Sequence, residues 1–209
     1  MAVRYTLQWR SGKKNTPLQY GIYAIQILII IGLSWLGVVF TPFSYAGVGL
    51  FYWAEAFIIL FTLWWGLWGM ISTYVGTVIG AGILTHLPLG TSLLFALGDL
   101  IPVLLAFVIY RNYSAKHSVS PFGSDILGNT RALGLFFLWL VVITNILGGI
   151  IGVGMLVLTG SLHAYEYLPA SIAWVAGDAI MLLIFLPPTS KFLTPILERH
   201  HLLTEGLVS

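Results

Sequence analysis

Six stretches of the sequence are each long and apolar enough to cross a lipid bilayer, and they limit the possible folds more than any other feature. A membrane-spanning helix needs about 20 apolar residues. Charged residues make up only 8% of the chain and hydrophobic residues 58%, whereas soluble domains carry about 25% charged residues. We therefore predict an all-α integral membrane protein with six transmembrane helices, covering roughly 18–40, 50–69, 70–86, 91–110, 132–158 and 170–188.

The basic residues predict the orientation of these helices. All nine Lys and Arg residues precede the first span, lie in the loop 111–131 or follow the last span. Basic residues concentrate on the cytoplasmic side, so we expect a multi-pass protein of the cell membrane with both termini in the cytoplasm. The predicted organisation is a basic N-terminus (1–17), a six-helix membrane domain (18–189) and a cytoplasmic tail (190–209).

Composition and motifs also exclude several functions. The net charge of +2 is too small to indicate nucleic-acid binding, and the absence of cysteine excludes disulfides and thiol catalysis. No motif identifies a cofactor, a nucleotide site or catalytic machinery, so we expect a protein that is not an enzyme.

Two segments of the sequence resemble each other. GTVIGAGIL (76–84) and GGIIGVGML (148–156) share the pattern G-x-x-I-G-x-G-x-L, and each is followed by a span with a Gly-Asp pair, at 98–99 and 177–178. Although such a match could arise by chance, two elements recurring in one order favour a parallel hairpin repeat of helices 3-4 and 5-6.

Each copy of the repeat also contains a G-x-x-x-G spacing, formed by Gly76 and Gly80 and by Gly148 and Gly152. Small residues at this spacing let helices approach closely. We interpret the four glycines as helix-packing positions. Backbone exposed to a ligand is the alternative.

Three acidic residues, Glu55, Asp99 and Asp178, lie inside predicted spans and at similar depth. An ionised acid in a membrane costs about 2.5–3.5 kcal/mol on insertion scales, and it normally faces a bundle interior or a watery cavity. No Lys or Arg lies in a predicted span to pair with them. We therefore predict an outward-facing acidic pocket for a cationic or metal-like solute. Protonated acids that join helices by hydrogen bonds are the alternative.

Four further residues complete the predicted ligand site. Gly98 and Gly177 precede two of the acids and would let a helix or a ligand approach. His86 ends the third span and would lie at the pocket mouth, and Trp174 is one turn before Asp178. The sequence does not identify a metal or a cofactor for this site.

The segments WAEAFIILFTLWWG (53–66) and WVAGDAIMLLIFLPP (174–188), with Gly98 between them, resemble the membrane-associated sensor domains of bacterial signalling proteins. This resemblance covers residues 50–188 and implies a membrane sensor that passes ligand occupancy to a cytoplasmic partner. The architecture is also similar to the substrate-binding (S) subunits of energy-coupling-factor transporters, which capture vitamins or metal ions. The first span, 20–37, departs from these subunits in lacking their small-x-x-x-small pattern.

These features leave three interpretations of function. The leading one is a substrate-capture subunit of a transporter, in contact with the bilayer and with a membrane or cytoplasmic protein partner. The second is a stand-alone sensor that signals through a cytoplasmic partner. The third is an accessory structural subunit of a larger membrane complex, in which the acids serve only packing.

Overall fold

The computed structural model describes residues 14–41, 44–45, 48–49 and 51–208, so most of the predicted basic N-terminus lies outside the described residues. In this part of the chain, five helices are long and apolar enough to span a membrane. They confirm an all-α membrane protein. We name them α1 (Pro17–Val39), α3 (Leu67–Thr85), α4 (Leu89–Ser114), α5 (Thr130–Leu158) and α6 (Ala164–Arg199). The remaining elements are the short helix α2 (Glu55–Trp65) and the strands β1 (Ser44–Tyr45) and β2 (Val48–Gly49), which form a small antiparallel hairpin.

The span predicted over 50–69 differs most from expectation. Its helix, α2, has 11 residues, which is a length of about 16 Å and roughly half of the hydrocarbon thickness of a bilayer. All of its side chains except that of Phe57 are buried, so α2 occupies the centre of the bundle. Gly66 ends α2 with φ of +56°. A side chain there would meet the Leu207 carbonyl oxygen at 2.6 Å, so the turn into α3 requires glycine.

The helix boundaries have recognisable causes at both termini. α1 begins with a capping box, in which the Thr16 hydroxyl accepts from the Gln19 backbone N–H and the Gln19 side chain accepts from the Thr16 backbone. The last helix does not end where the last span is predicted to end, at residue 188, because α6 continues through Pro187 and Pro188 to Arg199. Membrane helices tolerate proline when neighbouring groups satisfy the freed carbonyls.

Two of the long helices contain three wider π-helical segments. These are Val78–Gly82 in α3, and Phe136–Ile143 and Gly149–Val153 in α5. Two of them fall in the Gly-rich stretches that resemble each other in sequence. Such turns add a residue to the helix, and they occur frequently at functional sites.

Candidate functional site

A cavity of about 250 Å³ opens at one end of the bundle, which we call the cavity end. Its walls come from the C-terminal end of α1, the β hairpin, Tyr52, the end of α3 and the facing parts of α4, α5 and α6. Asp178 and Trp174 line this cavity and also a narrow gap directly beneath it that has no space for a water molecule. The cavity is lined by Gly37, Val38, Val48, Gly49, Tyr52, Ala81, Thr85, Leu87, Phe95, Leu156, Ser161, Trp174 and Asp178.

The three acids predicted from the sequence are brought together around this gap. Glu55, Asp99 and Asp178 all line it, and each is at most 4% exposed. No Lys, Arg or His is among the residues that line the cavity or the gap.

Asp99 is held by hydroxyl groups that the sequence did not single out. The Thr77 hydroxyl donates to Asp99 Oδ2 over 2.7 Å, and the Tyr52 hydroxyl donates to the same oxygen over 3.3 Å. The Ser34 hydroxyl lies 2.8 Å from that of Tyr52. Since Tyr52 uses its one hydrogen on Asp99, Ser34 is the donor to Tyr52. This chain connects α1, α3 and α4 and orients the Asp99 carboxyl group.

Asn145 is a further polar residue that is absent from the ligand site predicted from the sequence. It lines the gap with the three acids and is 1% exposed. Neither its side-chain oxygen nor its nitrogen has a hydrogen-bond partner among the described residues. Buried amides normally have hydrogen-bond partners, so the Asn145 side chain can still bond to a further group. It lies between the two π-helical segments of α5.

Trp174 lies between the cavity and the glycine-rich part of α5. Its ring lies 5.6 Å from that of Phe95 in an edge-on arrangement. A Cβ on Gly152 would meet the Trp174 ring at 2.7 Å, and one on Gly98 would meet the Gly152 Cα at 2.5 Å. α4, α5 and Trp174 therefore pack at backbone distance beside the acids.

The remaining sequence-predicted residues lie apart from the cavity lining. His86 is exposed, and its backbone is in the left-handed region with φ of +69°. Its neighbours Thr85 and Leu87 line the cavity, but His86 does not. Gly177 is buried on α6. The glycines Gly76 and Gly80 pack against α1, at Ile30 and at Ile31 and Ser34, while Gly148 lies beside the Trp174 indole nitrogen and the Gly98 carbonyl.

Metal binding has no ligand set in this part of the molecule. Among the residues that the structure describes, no group of three or more His, Asp or Glu side chains is placed to hold a metal ion. The three acids share a gap, but they are not such a group.

A buried arginine, Arg111, packs beside the C-terminal end of α2. We call this end of α2 the arginine end. Arg111 was expected in a loop but lies in α4 and is 3% exposed. Its guanidinium donates to the carbonyls of Leu63, Thr204 and Gly206 over 3.0 to 3.1 Å. It also lies 4.5 Å from the centre of the Phe107 ring. Asp99 and Arg111 are 12 positions apart on one helix, about 18 Å, so they do not pair.

The C-terminal segment 202–208 packs back onto the arginine end. The Trp65 indole donates to the Leu202 carbonyl, the Trp68 indole to the Val208 carbonyl and the Leu67 N–H to the Leu207 carbonyl. The Thr204 N–H in turn donates to the Trp64 carbonyl. This segment is therefore fixed to the last turn of α2.

The fold and the site define a multi-pass helical membrane protein with a small cavity above buried carboxylic acids. The model of the membrane-associated sensor domain family, MASE1, matches residues 22–207. The chain belongs to this family, which confirms the first of the two resemblances. No curated protein and no solved structure matched the chain in the same comparisons.

Proposed function

We propose that this domain is the non-enzymatic sensory input of a signalling system in the cell membrane, with the ligand in the cavity and a cytoplasmic protein as partner. In this proposal the chain crosses the membrane six times. The residues 51–54 and α2 together make one crossing, helices 3-4 and 5-6 form the parallel repeat, and both termini are cytoplasmic. Family membership supports a sensor over a transporter capture subunit.

The observation that carries the proposal is the position of α2 between the two ends of the molecule. Glu55 in its first turn lines the gap beneath the cavity. Trp64 and Trp65 in its last turn hold the segment 202–208. Ligand occupancy at the acids can therefore reach the C-terminal segment through one rigid, buried element.

Backbone hydrogen exchange of the full chain in lipid nanodiscs tests this relay. We expect Glu55→Gln to change the exchange rate of residues 202–208, because it replaces the acidic group in the first turn of α2 that lines the gap. Glu166→Gln is the matched control, since Glu166 lies near the cavity end but outside the lining residues. Unchanged exchange in Glu55→Gln would contradict the relay.

Partner identity separates the sensor from the other interpretations. Co-purification with a kinase or cyclase supports the sensor, whereas co-purification with an ATPase module supports the capture subunit. A chain that is unstable without a membrane partner and indifferent to small molecules would be an accessory subunit.

A further inference from the structure

The cavity combines aromatic walls with a carboxylate floor. Tyr52, Phe95 and Trp174 line it on several sides, and Asp178 lines it at the junction with the gap. We propose that the cavity binds a small organic cation, whose ammonium group packs against the Trp174 ring and pairs with Asp178. This ligand class rests on the proposed sensory function, for which it names the signal.

Charge balance is the first argument for a cation. Glu55, Asp99 and Asp178 line one gap, and the lining residues provide no positive side chain to pair with these acids when they are ionised. A buried carboxylate without a partner is costly. A monocation beside Asp178 offsets one charge of the cluster, which a neutral ligand cannot do.

The lining chemistry favours an organic cation over a metal ion. Calcium and magnesium need about six or more oxygen ligands in total, several of them usually from the protein. Of the three acids only Asp178 lines the cavity, and Asp99 Oδ2 already accepts two hydrogen bonds from hydroxyl groups. Aromatic rings attract ammonium groups through their faces, and tryptophan does so best.

Apolar residues and cavity size limit the rest of the ligand. Val48, Leu87 and Leu156 line the cavity beside the aromatic rings, which suits methyl or methylene groups on the cation. A volume of about 250 Å³ lies just below the range of about 300–1,000 Å³ typical of drug-sized ligands. The cavity can therefore enclose a small amine, whereas only part of a nucleotide or a peptide would fit inside it.

Asn145 is an independent sign that the acids do more than join helices. If the cluster were static hydrogen-bonded packing, its buried amide would have found a partner. Instead both polar atoms of Asn145 are unpartnered while the residue lines the gap below Asp178. Its amide offers donors to a carboxylate and an acceptor to a protonated acid, so it can stabilise the cluster in either arrangement.

The test compares a quaternary ammonium ion with its uncharged carbon analogue. Calorimetry on the full chain in nanodiscs would measure the binding of choline, of propylammonium and of 3,3-dimethylbutan-1-ol. We expect choline or propylammonium to bind at least about tenfold more tightly than the alcohol. We expect Asp178→Asn to remove this preference, while Glu198→Gln, at the far end of α6, leaves it unchanged.

Two further variants keep the test informative if Asp178→Asn misfolds. Phe95→Leu retains the apolar volume but removes one ring. We expect it to weaken the binding of choline more than the binding of the alcohol. Tyr52→Phe retains the ring, and we expect it to preserve most of the preference for the cation. Equal binding of choline and the alcohol would overturn the proposal, and so would a preference that survives in Asp178→Asn.

The outcomes also distinguish a failure of the ligand class from a failure of the proposed sensory function. If neither cation binds at millimolar concentration but Glu55→Gln still alters exchange at 202–208, the ligand class is wrong and the relay stands. If the cations bind with the expected preference but exchange at 202–208 never responds, the cavity is a cation site without the sensory coupling.

Discussion

The two ends of α2 solve the problem of buried charge in opposite ways. At the arginine end, the Arg111 guanidinium donates to three main-chain carbonyls and lies on aromatic rings. At the cavity end, three acids share one gap with an unpartnered amide and no basic residue in the lining. The arginine therefore has three carbonyl acceptors within the chain, whereas the acids have no basic residue in their lining.

This difference distinguishes a structural charge from a functional one. A structural charge is surrounded by complementary groups that fix one arrangement, and its loss should lower stability. A functional charge is incompletely satisfied, so its removal should cost little stability and should change the response to a ligand. Two of the four substitutions below, Arg111→Met and Asn145→Leu, test this distinction. The other two test the packing and the extent of the cavity end, and all four are given in order of expected effect on stability.

The largest effect should follow Arg111→Met. The substitution removes the donor to three carbonyls, and each buried group left without a partner costs roughly 1–3 kcal/mol. We expect a loss on the order of 3 kcal/mol and faster exchange at residues 202–208. Thermal unfolding in detergent would measure the loss. Arg131→Met is the control, because Arg131 is exposed, and equal stability of the two variants would refute the structural role.

A smaller loss should follow Gly98→Ala. Its Cβ would lie 2.5 Å from the Gly152 Cα, and backbone atoms cannot turn aside as a side chain can. Overpacking of this kind typically costs about 1–3 kcal/mol. Gly134→Ala is the matched control, since nothing lies within 4 Å of its Cβ position and alanine favours a helix. Unfolding curves in which both variants match the parent would argue against tight packing of α4 on α5.

Asn145→Leu should instead raise the stability of the protein. The substitution removes two unpartnered polar atoms from a buried gap, and an apolar side chain of similar volume there should add up to about 1 kcal/mol of stability. The neighbouring Thr144→Val should instead reduce stability, because the Thr144 hydroxyl donates to the Trp139 carbonyl over 2.7 Å. A destabilised Asn145→Leu protein would show that Asn145 is structural, and would weaken the contrast between the two ends of α2.

Hydropathy alone predicted much of the fold, since a helix of apolar residues has few alternatives in a membrane. It could not reveal that α2 is only 11 residues long, because the apolar run from 50 to 69 looks like any other span. It also misled at Pro187 and Pro188, where the neighbours in the bundle, rather than the local sequence, determine whether a helix continues.

The site was predictable only where a residue conflicts with its surroundings. Asp99 and Asp178 were found because acids are rare in apolar runs, and the structure brings them to one gap with Glu55. Tyr52 and Thr77 are ordinary residues in a membrane protein, so only the distances to Asp99 identify them. Asn145 is a polar residue in a predicted span, but its lack of a hydrogen-bond partner is visible only once the neighbouring helices are placed.

The smallest effect should follow His86→Gly, which tests the edge of the site. His86 was predicted at the pocket mouth, but it is exposed and lies outside the cavity lining. Its φ of +69° suits glycine, so we expect the stability to change by less than about 0.5 kcal/mol. Because no lining contact is lost, choline affinity measured by calorimetry should also stay the same. A loss of affinity of about fivefold or more would instead place the imidazole at the mouth and extend the functional end of the molecule by one turn.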